Sequence, residues 1–225
     1  MTISRFKLIP LVVLMIAIPA STMADDASAI RRIQSVGGLV VLHPITTRPS
    51  ASRVSIQGGK VTDATMKDLK TLKELKSLSI TGAEITDQHL KELKVLKKLE
   101  TLDLAGSSVS DSGMQELKHY PNPRSLYLYG SSVTDKGLKP LCDMNRLQTL
   151  GLRGSGITNE GMRELSKLQS LRTLTLSACN VSDAGLLELA QLKSLKSLHL
   201  KQLDVTEEGV EKLQILLPQC KINHQ

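Results

Sequence analysis

Short runs of alternating hydrophobic and polar residues recur along the chain at a fixed spacing. The hydrophobic pairs are Leu78/Ile80, Leu102/Leu104, Leu126/Leu128, Leu150/Leu152, Leu174/Leu176 and Leu198/Leu200. An alternation of period two predicts a β-strand with one buried face. After the pairs, leucines follow three residues apart, as at Leu186, Leu189 and Leu192. This second spacing is typical of a short helix with one buried face, so each period predicts a strand followed by a helix.

The pattern repeats every 24 residues and covers most of the chain. The seven units are 51–74, 75–98, 99–122, 123–146, 147–170, 171–194 and 195–218. A glycine ends most of the strands, and a motif such as Val133-Thr134-Asp135 follows it. The Thr or Ser hydroxyl can cap a helix, and the aspartate favours the positive end of the helix dipole. We therefore interpret these aspartates as helix-start residues rather than as metal ligands or catalytic carboxylates.

This arrangement resembles the leucine-rich-repeat family over residues 51–218. It is similar to the short bacterial units with a V-T-D-x-G-L turn, akin to the ribonuclease-inhibitor-like and cysteine-containing repeats. The asparagine that usually follows the strand in this family is replaced by Gly59, Ala83, Ser107, Ser131, Ser155, Cys179 and Leu203. The resemblance implies the α/β class and a right-handed solenoid, with parallel strands on its concave face and short helices on its convex face. Stacked units of such a solenoid share one continuous core.

The first residues predict an export signal. Arg5 and Lys7 precede an apolar run over 8–20, and small residues stand before a cut after Ala24. This is the layout of a secretory signal peptide. The apolar run is shorter than the roughly 20 residues that a membrane span needs. We therefore expect residues 1–24 to be removed, leaving a periplasmic or extracellular protein with no transmembrane segment.

Two caps are predicted to close the open ends of the repeat. Residues 25–50 hold a helical pattern with Ile30, Ile33 and Val36 on one face, followed by a short strand. Residues 219–225 hold the start of one more strand. Terminal caps of this kind are needed because each end of a solenoid otherwise exposes its core.

Composition and motifs point away from catalysis. The chain has 225 residues, with 29 lysines and arginines against 22 aspartates and glutamates, five histidines and three cysteines. The histidines lack the spacing of a helical metal pair, and neither a nucleophile elbow nor a phosphate loop is found. We therefore expect no enzymatic activity, no metal site and no cofactor. The cysteines are expected to be free thiols, with Cys179 buried.

Three columns of strand residues are predicted to face the concave side, because alternate side chains leave opposite faces of a strand. Most of them are Ser or Thr. The exceptions that cluster on three successive strands are Asp103, Tyr127, Tyr129 and Arg153. Tyr and Arg are enriched at binding hot spots, so we predict a contact site here, although the preference of Tyr for strands offers a purely structural explanation. A second candidate is His199 with Lys201.

Three functions remain open from the sequence. The first is an exported, non-enzymatic interaction module that binds a protein partner through its concave face. The second is an envelope-associated structural protein that binds a glycan or another anionic polymer through the lysine-rich convex side of its first two units. The third is a substrate-selecting adaptor similar to the leucine-rich-repeat proteins of ubiquitin ligases, which the predicted export signal disfavours. Nucleic acid is not expected, because aromatic residues do not interleave with the basic ones.

Overall fold

The computed structural model describes residues 24–42, 50–58, 61–121, 123–154 and 156–224. The predicted signal peptide lies outside the described residues except for Ala24. His43, Gly59 and Ser155 also lie outside them.

A nine-stranded sheet runs through the described part of the chain. The strands are β1 (Leu39–Leu42), β2 (Ala51–Gln57), β3 (Ser77–Thr81), β4 (Thr101–Asp103), β5 (Ser125–Tyr129), β6 (Thr149–Arg153), β7 (Thr173–Ser177), β8 (Ser197–Lys201) and β9 (Lys221–His224). They lie side by side in chain order. The first pair is antiparallel, and every later pair is parallel and in register.

One helix precedes β1, and short helices connect the parallel strands. The helices are α1 (Ala24–Ser35), α2 (Asp63–Thr71), α3 (Asp87–Leu93), α4 (Asp111–Glu116), α5 (Asp135–Leu138), α6 (Asn159–Leu165), α7 (Asp183–Glu188) and α8 (Glu207–Leu216). Three of them continue into 3-10 turns at Leu117–His119, Lys139–Asp143 and Leu189–Gln191. Consecutive helices pack against each other in the same order as the strands. The predicted α/β solenoid with a parallel sheet is therefore confirmed.

The core consists of the leucine columns between the sheet and the helices. Leu102, Leu126 and Leu150 stand opposite one another in neighbouring strands, and none is more than 3% exposed. Helical leucines such as Leu90 and Leu165 close the core from the other side, fully buried. Replacing one such leucine by alanine costs about 2–5 kcal/mol in a core that cannot collapse around the gap.

Tyr120 fills the junction between the third and fourth units. The sequence places it in a leucine column beside Pro121, which predicts a structural role. The side chain is 5% exposed, and its hydroxyl donates a hydrogen bond to the carbonyl of Leu90 at 2.7 Å. Burial raises the pKa of this hydroxyl well above its ordinary value of 10, so it remains a neutral donor. The structural role of Tyr120 is confirmed.

The N-terminal helix packs its apolar face on the first repeat. Ile30 and Ile33 are buried as predicted, whereas Val36 is 52% exposed. The prediction for Val36 is wrong because α1 ends at Ser35. Gly37 stops the helix with a φ of 85°, a backbone conformation that ends many helices.

The aspartates of the repeated motif link neighbouring units. The Oδ1 atom of Asp135 accepts from the backbone N–H of Thr158 at 2.8 Å, and its Oδ2 atom accepts from the Thr158 hydroxyl at 2.6 Å. The same two bonds join the pairs Asp87/Ser110, Asp111/Thr134 and Asp183/Thr206. An asparagine makes the equivalent contact in the pair Asn159/Ser182. We call each such pair of bonds a rung.

The rungs revise the sequence-based interpretation of the aspartates. The threonine hydroxyl caps its own helix as predicted, for example Thr134 accepting from Lys136. The aspartate itself holds the cap residue of the next unit, so it acts between units as well as at a helix start. Each rung satisfies a backbone N–H at a helix start, a group that would otherwise lack a partner.

The rungs also explain the glycine of the D-x-G motif. A Cβ atom on Gly137 would overlap the carboxylate of Asp111, and one on Gly161 would overlap that of Asp135. Gly113, Gly185 and Gly209 stand in the same relation to the preceding unit. The column needs glycine because the side chain of the unit before it occupies the space.

Candidate functional site

The four predicted concave residues are neighbours in the sheet. Asp103 stands opposite Tyr127 in the pairing of β4 with β5. Tyr129 stands opposite Arg153 in the pairing of β5 with β6. All four project from the sheet face that is turned away from the helices, since the leucines between them are buried. The structure thus brings the predicted residues together in one patch, which we call the tyrosine patch.

The two tyrosine rings lie over a glycine. Their centroids are 6.1 Å apart, with the ring planes tilted by 39°. Gly151 stands opposite Tyr127 in β6, and a Cβ atom there would overlap the Tyr129 hydroxyl and crowd the Tyr127 ring. Both tyrosines remain partly exposed. Sequence reasoning missed Gly151, although a glycine in a column whose other members all carry a polar or aromatic side chain is a visible signal.

The polar groups of the patch differ in how many hydrogen bonds and ion pairs they already form within the protein. The carboxylate of Asp103 accepts from the Ser79 hydroxyl at 3.1 Å and from the backbone N–H of Ala105 at 3.2 Å. Partial burial raises the pKa of Tyr127, and Tyr129 and Asp103 add to the effect, so its hydroxyl is a neutral donor at physiological pH. Arg153 is exposed and forms no ion pair with the residues that the structure describes. The patch therefore offers an available guanidinium beside two aromatic faces.

Arg153 also borders an open groove at the ends of the strands. The groove measures about 470 Å³ and is lined mostly by small residues, from Gly130 to Thr134 on one side and Gly154, Gly156 and Ala178 on the other. The one lining side chain that is both large and apolar, Val133, is itself buried, so the groove is an open, shallow extension of the patch rather than a hydrophobic pocket.

The second predicted candidate is more occupied. The Nε2 atom of His199 lies 2.9 Å from the Ser197 hydroxyl, and its Nδ1 atom lies 3.3 Å from the Asn223 amide nitrogen. Lys201, in contrast, is exposed. The two residues share β8, but both ring nitrogens of His199 are already within hydrogen-bond distance of polar groups in the sheet.

The convex lysines of the first two units are partly neutralised. Lys70 pairs with Glu92 at 2.7 Å, and Lys98 pairs with Glu74 at 2.7 Å. Lys94 lies 3.8 Å from Glu116. These contacts join one unit to the next, so part of the basic charge is used within the protein.

Two other classes of site have no counterpart among the described residues. Across the described ranges, the acidic, histidine and cysteine side chains form no group of three that could hold a metal ion. Helices long and apolar enough to cross a membrane are likewise not found in the part of the chain that the structure covers. The three cysteines are free thiols, with Cys179 and Cys220 buried.

The sheet, the leucine columns and the repeated turn together form a leucine-rich-repeat fold. Two segments, 95–118 and 167–190, match the family model described as a leucine rich repeat. No curated protein sequence matches the chain significantly.

Solved structures show the same fold. An internalin (inlF) from Listeria monocytogenes superposes with a TM-score of 0.62 and 23% identity, over 89% of this chain and 54% of that one. An internalin C2 (inlC2) from the same organism gives a TM-score of 0.65 and 24% identity, over 90% of this chain and 84% of that one. The chain thus spans about half the length of the first structure. The predicted resemblance to bacterial leucine-rich repeats is confirmed.

Proposed function

We propose that the protein is an exported, non-enzymatic interaction module that binds a protein partner through the tyrosine patch. The observation that carries this proposal is the pair of partly exposed tyrosines over Gly151, beside the available Arg153. A tyrosine on the open face of a sheet has no core to fill. Tyr and Arg are also the side chains that most often dominate protein interfaces.

The position of the patch supports this proposal. Asp103, Tyr127 and Arg153 lie on three consecutive strands in the middle of the sheet. Their backbones are held in register by the ladder, so a partner need not order them on binding. A preorganised backbone of this kind lowers the entropic cost of binding.

The export part of the proposal rests on the sequence of residues 1–24. The adaptor hypothesis loses its support if that segment is removed in the cell. N-terminal sequencing of the native protein would separate the two, because an intact Met1 contradicts export by cleavage.

The test is a capture experiment with matched variants. The chain from Asp25 is immobilised as wild type, as Tyr127→Ala/Tyr129→Ala/Arg153→Ala and as Lys67→Ala/Lys73→Ala/Lys91→Ala. Lys67, Lys73 and Lys91 are exposed residues of the first two units. Each protein is incubated with an envelope extract of the source organism at low and high salt, and retained proteins are identified by mass spectrometry.

We expect a protein that is retained at both salt concentrations and is lost only from the tyrosine-patch variant. Equal melting temperatures of the three proteins are the control for folding. Material that binds wild type and patch variant alike, is released by salt and is lost from the lysine variant would contradict the proposal. That outcome would move the function to the basic convex side.

A further inference from the structure

The concave face carries more positive than negative charge. Among the nine described strands, Asp103 is the single carboxylate, and it is already hydrogen-bonded to Ser79 and Ala105. The basic residues of the same strands are Arg53, Arg153, Lys201 and Lys221. Each of them stands in a column that leaves the sheet away from the core. The concave face therefore carries an excess of positive charge, most of it on β6, β8 and β9.

Two of these cations form a row with the tyrosine patch. Tyr129, Arg153, Ser177 and Lys201 occupy the same register position on four consecutive strands. Ser177 is small and 8% exposed, so nothing bulky stands between the two charged side chains. Strands lie about 4.8 Å apart, which places Arg153 and Lys201 about 10 Å from each other along the row.

We propose that the partner presents an extended acidic segment that lies across strands β5 to β8, with two carboxylates facing Arg153 and Lys201. This inference rests on the proposed function and specifies the chemistry of its partner. An apolar or aromatic side chain of the segment packs on the Tyr127 and Tyr129 rings, at one end of the row.

The spacing selects which acidic segments fit. An extended segment in the polyproline II conformation rises about 3.1 Å per residue with three residues per turn, so carboxylates three residues apart lie on one face of the segment, about 9 Å from each other. The apolar residue that meets the tyrosines stands within one turn, up to three residues, before the first carboxylate. Complementary charges of this kind mainly set specificity and association rate, while the aromatic contact supplies affinity.

The test is a selection from an unbiased library. A phage library of random linear dodecapeptides is selected on the chain from Asp25, and enriched peptides are synthesised and titrated by fluorescence anisotropy. We expect enrichment of peptides with Asp or Glu at positions three apart and an apolar residue nearby. Enrichment without a bias towards carboxylates would overturn the proposal.

Charge-reversal variants locate the contact. Arg153→Glu/Lys201→Glu should lower the affinity for the selected peptides by about tenfold or more. Lys67→Glu/Lys91→Glu changes the net charge equally on the convex helices and should change binding by less than about twofold. A selection on the first variant should enrich lysine pairs instead. Equal losses in both variants would overturn the proposal, because they would show attraction to net charge alone.

The two proposals can fail separately. If an envelope protein depends on the tyrosine patch but the library yields no acidic pairs, the acidic segment is wrong and the proposed function stands. If acidic pairs are selected but no envelope protein depends on the patch, the proposed function falls.

Discussion

The junctions between units differ along the solenoid. From the second unit onwards, each aspartate or asparagine of the motif forms a rung to the next unit, ending at Thr206. The junction between the first two units has none among the described residues: Asp63 is exposed, and the N–H of Thr86 donates instead to the Nδ1 atom of His89 at 3.1 Å. One side chain accounts for this difference.

His89 occupies the column that holds glycine in the following units. A Cβ atom at those glycines would overlap the carboxylate of the preceding unit, so a histidine at this position is incompatible with the same rung. The ring nitrogen of His89 then takes over the backbone N–H that the carboxylate would have satisfied. The first junction replaces a contact between units by a contact within one.

The N-terminal end has a different link. The guanidinium of Arg32 donates two bonds from Nε and one from its terminal nitrogen to Asp68, joining α1 to α2 at 2.6–3.0 Å. Stability in a solenoid is close to a sum over neighbouring units. The ion pairs Lys70–Glu92 and Lys98–Glu74 also cross the first junction, but partly exposed pairs stabilise little. The missing rung therefore makes this junction the place where local opening is expected, whereas the tyrosine patch lies in the rung-linked part.

The largest expected effect comes from removing a rung. Asp135→Ala leaves the N–H and hydroxyl of Thr158 without their charged acceptor, which should lower the free energy of unfolding by about 2 kcal/mol. Asp63→Ala, at the junction without a rung, should change it by less than about 0.5 kcal/mol. Urea unfolding followed by circular dichroism measures both. Equal costs at the two positions would show that the rungs add nothing to the junctions.

A double-mutant cycle tests the link between aspartate and glycine. Gly161→Ala alone should cost about 1–3 kcal/mol through overpacking against Asp135. In Asp135→Ala the space is empty, so adding Gly161→Ala should cost little or nothing. A coupling energy near zero would contradict the role of the glycine column.

The sequence predicts the scaffold better than the site. Period and leucine spacing are enough to place strands such as Leu126/Leu128 and the helix starts at Thr134, because one buried face repeats in every unit. The rungs could not be predicted from the sequence in the same way as the strands and helix starts, because they depend on the distance between side chains of different units. The D-x-G motif carries the signal, and His89 marks the exception.

The tyrosine patch shows a similar limit. Strand alternation predicts that Tyr127 and Tyr129 share a face, and the register brings Arg153 beside them. That the rings fold over Gly151 follows from side-chain packing, which alternation does not describe. The prediction for Val36 is wrong for a local reason, because the helix ends before Val36, where Gly37 has a positive φ.

The next effect concerns pH at the last rung. The Thr206 hydroxyl and N–H hold the pKa of Asp183 below its ordinary value of 3.8. A depressed carboxylate pKa contributes stability above the unfolded value, and that contribution is lost as the pH falls through the folded value. The difference in unfolding free energy between wild type and Thr206→Val should thus shrink as the pH falls below about 4.

The first junction supplies the matched control for this titration. Thr86→Val removes the equivalent hydroxyl where no rung is formed, so its cost should stay constant over the same acidic range. Chemical unfolding at several pH values gives both differences. A cost of Thr206→Val that does not depend on pH would show that its hydroxyl does not act through the charge of Asp183.

The smallest expected effect is that of relieving the turn at Ala178, in a column of strand-end turns where the comparison between the two ends of the solenoid reverses. The N-terminal turns use Gly58, Gly82, Gly106 and Gly130, with φ between 65° and 74°, while the same column holds Ala178 at 51° and Gln202 at 54°. This left-handed backbone conformation costs a residue with a Cβ roughly 1 kcal/mol. The C-terminal units therefore combine rungs with strained turns, and the first unit combines a relaxed turn with no rung.

Ala178→Gly should accordingly raise the free energy of unfolding by about 0.5 kcal/mol, the relief of strain being partly offset by the greater freedom of glycine in the unfolded chain. Gly106→Ala, with its φ of 74° and a close backbone neighbour in Gly82, should lower it by about 1–2 kcal/mol. Thermal unfolding of both variants gives the signs directly. If Ala178→Gly destabilises the protein, packing of the alanine methyl group outweighs backbone strain, and the C-terminal turns are not the weaker ones.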